Sequence, residues 1–307
     1  MWTNIDPHLL LFAFLPALLF GDAINLEWHI LRKCFFQILL LAGPGVAIGS
    51  FLCSLLPRYV FNYGWDWNYS MLMGSMLAAT DPVAVVGLLK ELGASPKLSM
   101  VIAGESMMND GTAVVFYLLF YKLSQGASYS FIEIVEFFAQ MALGGPAIGV
   151  LVAWAGTGWI MAGKDSIIEI TVFFLMGYCA MIAAEQEAEA SGVLAVVGGG
   201  VVVATYAWPY VDDIHAMHNV WHWVEWTGNT LIFLLAGTIL GSTFYIADNI
   251  TAKDWGFLLL NWVVVNIVRF IVVFFFFPIL RLIGYGLTWQ EAVFMGWGGL
   301  RGAVGLA

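Results

Sequence analysis

Charge is what this sequence has least of. Only 10% of its 307 residues are Asp, Glu, Lys or Arg, against 61% hydrophobic ones. With a mean hydropathy of +0.87, that composition excludes a soluble globular domain. Basic residues are scarcer still: 11 Lys and Arg face 21 Asp and Glu, a net charge of −10, which argues against nucleic acid as a partner and suits cations. The cysteines are few, Cys34, Cys53 and Cys179, and all lie within apolar runs. They form no extracellular disulfide framework and read as small packing residues. Ten-residue stretches of alternating polarity are missing, which excludes an outer-membrane barrel. Residues 1–7 carry no basic region and no cleavage site precedes the first apolar run, so no signal peptide is expected. The chain stops in mid-run at Ala307, and truncation at both ends is the expectation.

What is present in quantity is long apolar sequence. Runs extend from His8 to Leu26, Cys34 to Leu56, Tyr69 to Leu89, Leu98 to Tyr121, Phe131 to Met161 and Ile167 to Ala184, then from Ser191 to Ala207, Thr227 to Ile246, Trp255 to Leu282 and Gln290 to Ala307. Most have the roughly 18 or more residues a helix needs to cross the hydrocarbon layer. The reading is an all-α, multi-pass membrane protein of about ten spans, with many of its 14 Trp and 11 Tyr at the ends of runs as interfacial belts. Alternate connections hold Arg32, Lys33, Lys90, Lys97, Lys164 and Arg281, and the remainder only Arg58, Lys122 and Lys253. The positive-inside rule therefore turns the first set to the cytoplasm. The sequons Asn68-Tyr69-Ser70 and Asn249-Ile250-Thr251 then fall outside, close to the membrane.

Polar residues inside the runs carry the chemistry. Gly104-Glu105-Ser106-Met107-Met108-Asn109-Asp110-Gly111-Thr112 puts two carboxylates, two hydroxyls and a carboxamide where a spanning helix is otherwise aliphatic. An ionisable group at that depth costs several kcal/mol without partners and marks a functional site. At 100° per residue Ser106 and Asp110 share one face, and Glu105 shares another with Asn109. Glu105 should then meet an embedded arginine, Arg269 or Arg301, each of which needs a carboxylate. Ala79-Thr80-Asp81-Pro82 interrupts the third run, since proline removes a backbone donor and disfavours helix before it. Carbonyls freed near Asp81 can ligate a small cation, and such backbone is tolerated at depth only when buried or lining a wet cavity. Gly298-Gly299-Leu300-Arg301-Gly302-Ala303 loosens the last run in the same way. Paired broken helices in opposite halves point to a transporter site.

Two further clusters are weaker. The linker Trp208 to Trp226 carries Asp212, Asp213, His215, His218, His222 and Glu225, and its histidines recur at helical spacing, as a metal site or a pH-sensing face would. An amphipathic interfacial helix with Trp221, Trp223 and Trp226 at the headgroups explains the same pattern and is preferred. Glu185, Glu187 and Glu189 read as a solvated turn.

Together, Ala79-Thr80-Asp81-Pro82-Val83-Ala84-Val85-Val86, Leu92-Gly93-Ala94-Ser95, Gly104 to Ala113 and Gly298-Gly299-Leu300-Arg301-Gly302-Ala303-Val304 resemble the signature motifs of the monovalent cation/proton antiporter superfamily, in its sodium/proton exchanger branch. Leu15-Pro16-Ala17-Leu18-Leu19-Phe20 and Ala190 to Val197 match that branch too, and the overall look is closest to plant and algal plasma-membrane salt-tolerance exchangers. The resemblance implies an inverted-repeat fold with two crossed discontinuous helices, a moving core around residues 69–122 and 255–307, and dimerisation or scaffold helices within 131–246. It implies that Asp110 of the Asn109-Asp110 pair alternates between cation and proton. Ser106, Thr80 and Asp81 would help to ligate the ion, Glu105 would pair with Arg269, and Arg301 would be the second core arginine. Its partners would be sodium, with lithium and potassium as rivals, protons, the lipid bilayer and a second copy of the chain. No cofactor and no enzymatic activity are expected, and the location would be the plasma membrane.

One carboxylate that holds either a proton or a dehydrated cation, and never stays empty, suffices for exchange if the core moves only when Asp110 is neutralised. Asn109 supplies no second charge, so the expected stoichiometry is an electroneutral 1:1. A cation channel or leak and a transport-inactive sensor are the rival readings. An intramembrane hydrolase ranks last, because no serine lies beside a histidine base within the runs.

Overall fold

In the computed structural model, the described residues are 7–61, 63–81, 83–163, 165–246 and 251–301. Pro82, Lys164, Asn249-Ile250 and Gly302-Ala303-Val304, which entered the readings above, lie outside them. Thirteen α-helices make up the described chain: α1 (Pro7–Ile24), α2 (Trp28–Leu40), α3 (Val46–Tyr59), α4 (Trp67–Met76), α5 (Val83–Glu91), α6 (Pro96–Ser124), α7 (Phe131–Ala139), α8 (Gly145–Ala162), α9 (Ser166–Ile182), α10 (Gly192–Tyr206), α11 (Ile214–Ile246), α12 (Ala252–Leu280) and α13 (Trp289–Trp297). Every apolar run holds helix, and the chain belongs in the membrane. By length and composition, five continuous helical stretches among the described residues are long and apolar enough to cross it: Trp28–Tyr59, Phe131–Ala162, Ser166–Glu187, Ile214–Ser242 and Ala252–Leu280.

The helices start where local chemistry satisfies their first amides. Ser130 with Glu133, Thr251 with Asp254 and Thr288 with Glu291 form reciprocal capping boxes, and Asp165 caps α9. Single π-turns at Leu41–Gly45, Gln140–Gly144 and Ala183–Glu187 widen three of the spans. The first contains Pro44, whose missing amide donor breaks the regular ladder. Between α4 and α5 the break expected near Asp81 is present, with non-helical backbone at 77–81.

Two large apolar clusters dominate the packing of the helices. One gathers Ile38, Leu41, Val101, Met107, Val268, Val273 and Met295 from α2, the π-turn after it, α6, α12 and α13. The other gathers Phe20, Ile160, Phe173, Val196, Val203 and Trp221 from α1, α8, α9, α10 and α11. Helices α8 and α10 approach so closely that a Cβ on Gly149 would lie 1.8 Å from the Ala195 carbonyl oxygen. Only glycine fits that crossing.

The histidine-bearing stretch is not a linker beyond Ile214: from there it is the first part of α11, continuous with the span, because no residue in it breaks the helical ladder. Trp221 is no headgroup anchor: it is 1% exposed and stacks on Phe174 with ring centroids 4.6 Å apart. Trp223 and Trp226 point outward, as two and five residues of helical rotation require. Among the described residues no group of three or more His, Cys, Asp or Glu could hold a metal, which removes the metal reading of His215, His218 and His222.

Outside the spans, Tyr63 in the α3–α4 loop donates its hydroxyl to Asp254 at the start of α12. That bond pushes the Tyr63 phenol above its ordinary value. A raised folded value means the contribution to stability is complete below pH ~10 and lost as pH rises through it. Tyr63→Phe should therefore melt slightly lower than the parent near neutrality and converge with it above pH ~10. Curves that stay parallel across that range would show that the bond is irrelevant to stability.

Candidate ion-exchange site

The site is built where two interrupted helices meet the middle of a third. The extended segment after α4 and the segment after α13 run against each other: the Asp81 amide donates to the Leu300 carbonyl at 2.8 Å, and Arg301 Nη1 donates to the Ala79 carbonyl at 2.8 Å. Unwinding at 77–81 leaves carbonyls of α4 without helical partners. The guanidinium compensates the negative end of that half-helix, as a cation at a C-terminus does. No carboxylate among the described residues pairs with Arg301, so its partner is backbone where a carboxylate was expected.

Helix α6 supplies the side chains. Ser106 Oγ donates to the Thr80 carbonyl. Asn109 Nδ2 donates to the Ala78 carbonyl at 3.3 Å and to Thr80 Oγ1 at 3.0 Å. Ser106 and Asn109 are almost fully buried. They fasten α6 to the unwound strand, so the Thr80 backbone and Asp110 are held by the same helix. Asp110 is partly exposed and makes no hydrogen bond or ion pair with any described residue; Asp81 and Asp22 are the carboxylates near enough to act on it electrostatically. Its oxygens are thus available to a ligand, while those of Glu105, five residues earlier on the same helix, are committed. Arg269 from α12 grips Glu105 with both terminal nitrogens, Nη2 to Oε2 at 2.8 Å. The arginine stem lies over Gly299, whose Cβ, if present, would be 3.0 Å from Cγ.

A cavity of about 850 Å³ is lined by Asp22 of α1, Val86 of α5, Met107 of α6 and Glu225 and Phe233 of α11. It reaches within one turn of Asp110. Toward its other end the Lys97 ammonium ties the start of α6 to the α12–α13 turn, through the Gly286 carbonyl at 2.7 Å and Glu291 at 3.0 Å. Of the cavity's acids, Asp22 was legible by the argument that singled out Asp110, since it too is ionisable within an apolar run. Glu225 was assigned to a linker, and only the continuity of α11 places it here.

A family model described as sodium/hydrogen exchanger, transmembrane, matches residues 2–307. The chain is 43% identical over 312 residues to sodium/hydrogen exchanger 7 of Arabidopsis thaliana, and all of it is covered together with 27% of that protein. It is 40% identical over 312 residues to sodium/hydrogen exchanger 8 of the same plant, again over all of this chain and 41% of that protein. The chain thus spans well under half the length of these relatives. In three dimensions it resembles the sodium proton antiporter MjNhaP1 of Methanocaldococcus jannaschii, with a TM-score of 0.75 at 17% identity over 95% of this chain and 69% of that one, which shows the antiporter fold. The broken-helix crossing and the match along nearly every residue agree, and the chain belongs to the sodium/hydrogen exchanger family.

Proposed function

We propose that the protein carrying this chain is a secondary active antiporter that exchanges sodium for protons by alternating access, one for one and without net charge movement. The observation that carries the reading is the division of labour on α6. Glu105 is consumed by Arg269 and Asn109 by the unwound strand. Asp110 alone on that helix keeps a carboxylate uncommitted, next in sequence to Asn109, which reaches the Ala78 carbonyl, and three residues beyond Met107, which lines the wide cavity. Asp110 takes a proton or a dehydrated cation in turn, and Ser106, the Thr80 carbonyl, Asp81 and water complete the cation's oxygen shell. Neutral Asn109 adds no charge to the cycle.

Helices α2, α3, α4, α5, α6, α12 and α13 serve as the moving core, and α1 with α7 to α11 as the scaffold that dimerises. This extends the core beyond 69–122 and 255–307, since α2 packs into the same apolar cluster as α6 and α12. Sodium removal and pH control at the plasma membrane are the corresponding cellular roles, and no catalytic step is involved.

The test is sodium-driven proton flux by the full-length protein in proteoliposomes under an imposed membrane potential. Flux should require sodium and be unchanged in rate by the potential. A rate that follows the potential overturns the electroneutral stoichiometry, and sodium current without proton counterflow would make the protein a channel.

A further inference from the structure

A second, smaller chamber lies in the core, about 20 Å³ in volume and lined by Leu41 and Gly45 of the π-turn, Gly49 and Cys53 of α3, Asn109 of α6 and both arginines, Arg269 and Arg301. Three of these residues bring buried polar atoms that have no hydrogen-bond partner among the described residues: Asn109 Oδ1, Arg269 Nε and Arg301 Nε. Asn109 is 1% exposed. The orientation of its amide is fixed, because Nδ2 must face the Ala78 carbonyl, which can only accept.

We propose that this chamber is the binding site of one structural water molecule. Buried polar groups in folded proteins are paired, with ordered water where no protein group reaches. The volume exceeds the ~10–15 Å³ that a single water requires. The donor and acceptor pattern selects the species. Two guanidinium Nε–H groups need an acceptor and Asn109 Oδ1 needs a donor, and water accepts two hydrogen bonds and donates two. A metal cation would meet two guanidinium charges, and a halide would meet the Oδ1 lone pairs. The π-turn contributes Leu41 and Gly45 to the chamber wall, where the wider helical loop interrupts the regular ladder. The water would hold the Asn109 amide from the side opposite its bonds to Ala78 and Thr80, joining both core arginines to the residue beside Asp110.

The test uses radiolytic hydroxyl labelling of the full-length protein in isotope-labelled water, read by mass spectrometry at two cysteines. Cys34 and Cys53 are 0% and 2% exposed, but only Cys53 lines the chamber. Cys53 should be labelled severalfold faster than Cys34; equal rates overturn the proposal. Gly49→Ala supplies the second arm. Its methyl group would meet only Val272 Cγ2, at 3.9 Å, so it enters the chamber without moving protein atoms. If water is there, the methyl displaces it: Cys53 labelling falls to the Cys34 rate, and the melting temperature drops although alanine is the better helix former. A rise in melting temperature with unchanged labelling means a dry void and sinks the idea. Neither readout uses transport, so failure here and failure of the exchange reading are separable.

Discussion

Asp110→Asn in the full-length protein is expected to reduce sodium-driven proton flux in proteoliposomes to the rate of protein-free vesicles. The substitution keeps size and shape and removes only the ability to bind a proton or to neutralise a cation. Asp110 has no hydrogen bond or ion pair to any described residue, so nothing in the fold is left unpaired by the change. The melting temperature should accordingly stay within about 2–4 °C of the parent, the shift that roughly 1 kcal/mol produces in a protein of this size or larger. Loss of flux with the fold retained identifies the exchanging carboxylate. Undiminished exchange would move the assignment to Asp81, whose backbone sits at the crossing and which acts on the same site.

The contrast between what the sequence revealed and what it hid follows from the range of the interactions involved. The break before Pro82 is a local consequence of proline chemistry and is readable without a structure. Periodicity grouped Ser106 with Asp110, whereas the unwound segment in fact engages Ser106 together with Asn109. That Glu105 must find an arginine was also legible, because a carboxylate at that depth needs one. The partner of Arg301 was not. A guanidinium in a membrane suggests a carboxylate, but here unwinding of α4 creates carbonyl acceptors that answer the same need, and no sequence rule shows which residues an unwound segment will face. The role of 208–226 was hidden for a related reason. Its exposed histidines and aspartates disguise the first turns of α11, and the burial of Trp221 depends on Phe20 of α1 and Phe174 of α9, which are distant in sequence. Trp221 looks interfacial by composition and is buried by context.

Arg269→Ala should be the most destabilising single substitution in the site, by about 3–5 kcal/mol, the usual cost of removing one partner from a buried ion pair. Glu105, 1% exposed, would lose its ion pair, and Arg301, which acts on it only electrostatically and forms no salt bridge with it, cannot replace that grip. Lysine at 269 should restore little, since a point charge cannot reproduce the two-nitrogen grip that spans both Glu105 oxygens. The double change Glu105→Gln with Arg269→Met should melt above Arg269→Ala, because removing both charges costs less than stranding one. Thermal melts of the purified full-length protein in detergent read all three, and single variants that melt like the parent would show the pair to be dispensable. The comparison with Asp110 then separates two carboxylates that lie one and a half turns apart on α6. Glu105→Gln should lose transport only together with stability, whereas Asp110→Asn should lose transport with stability intact. That split depends on which carboxylate spends its oxygens on the protein and which keeps them for the ion.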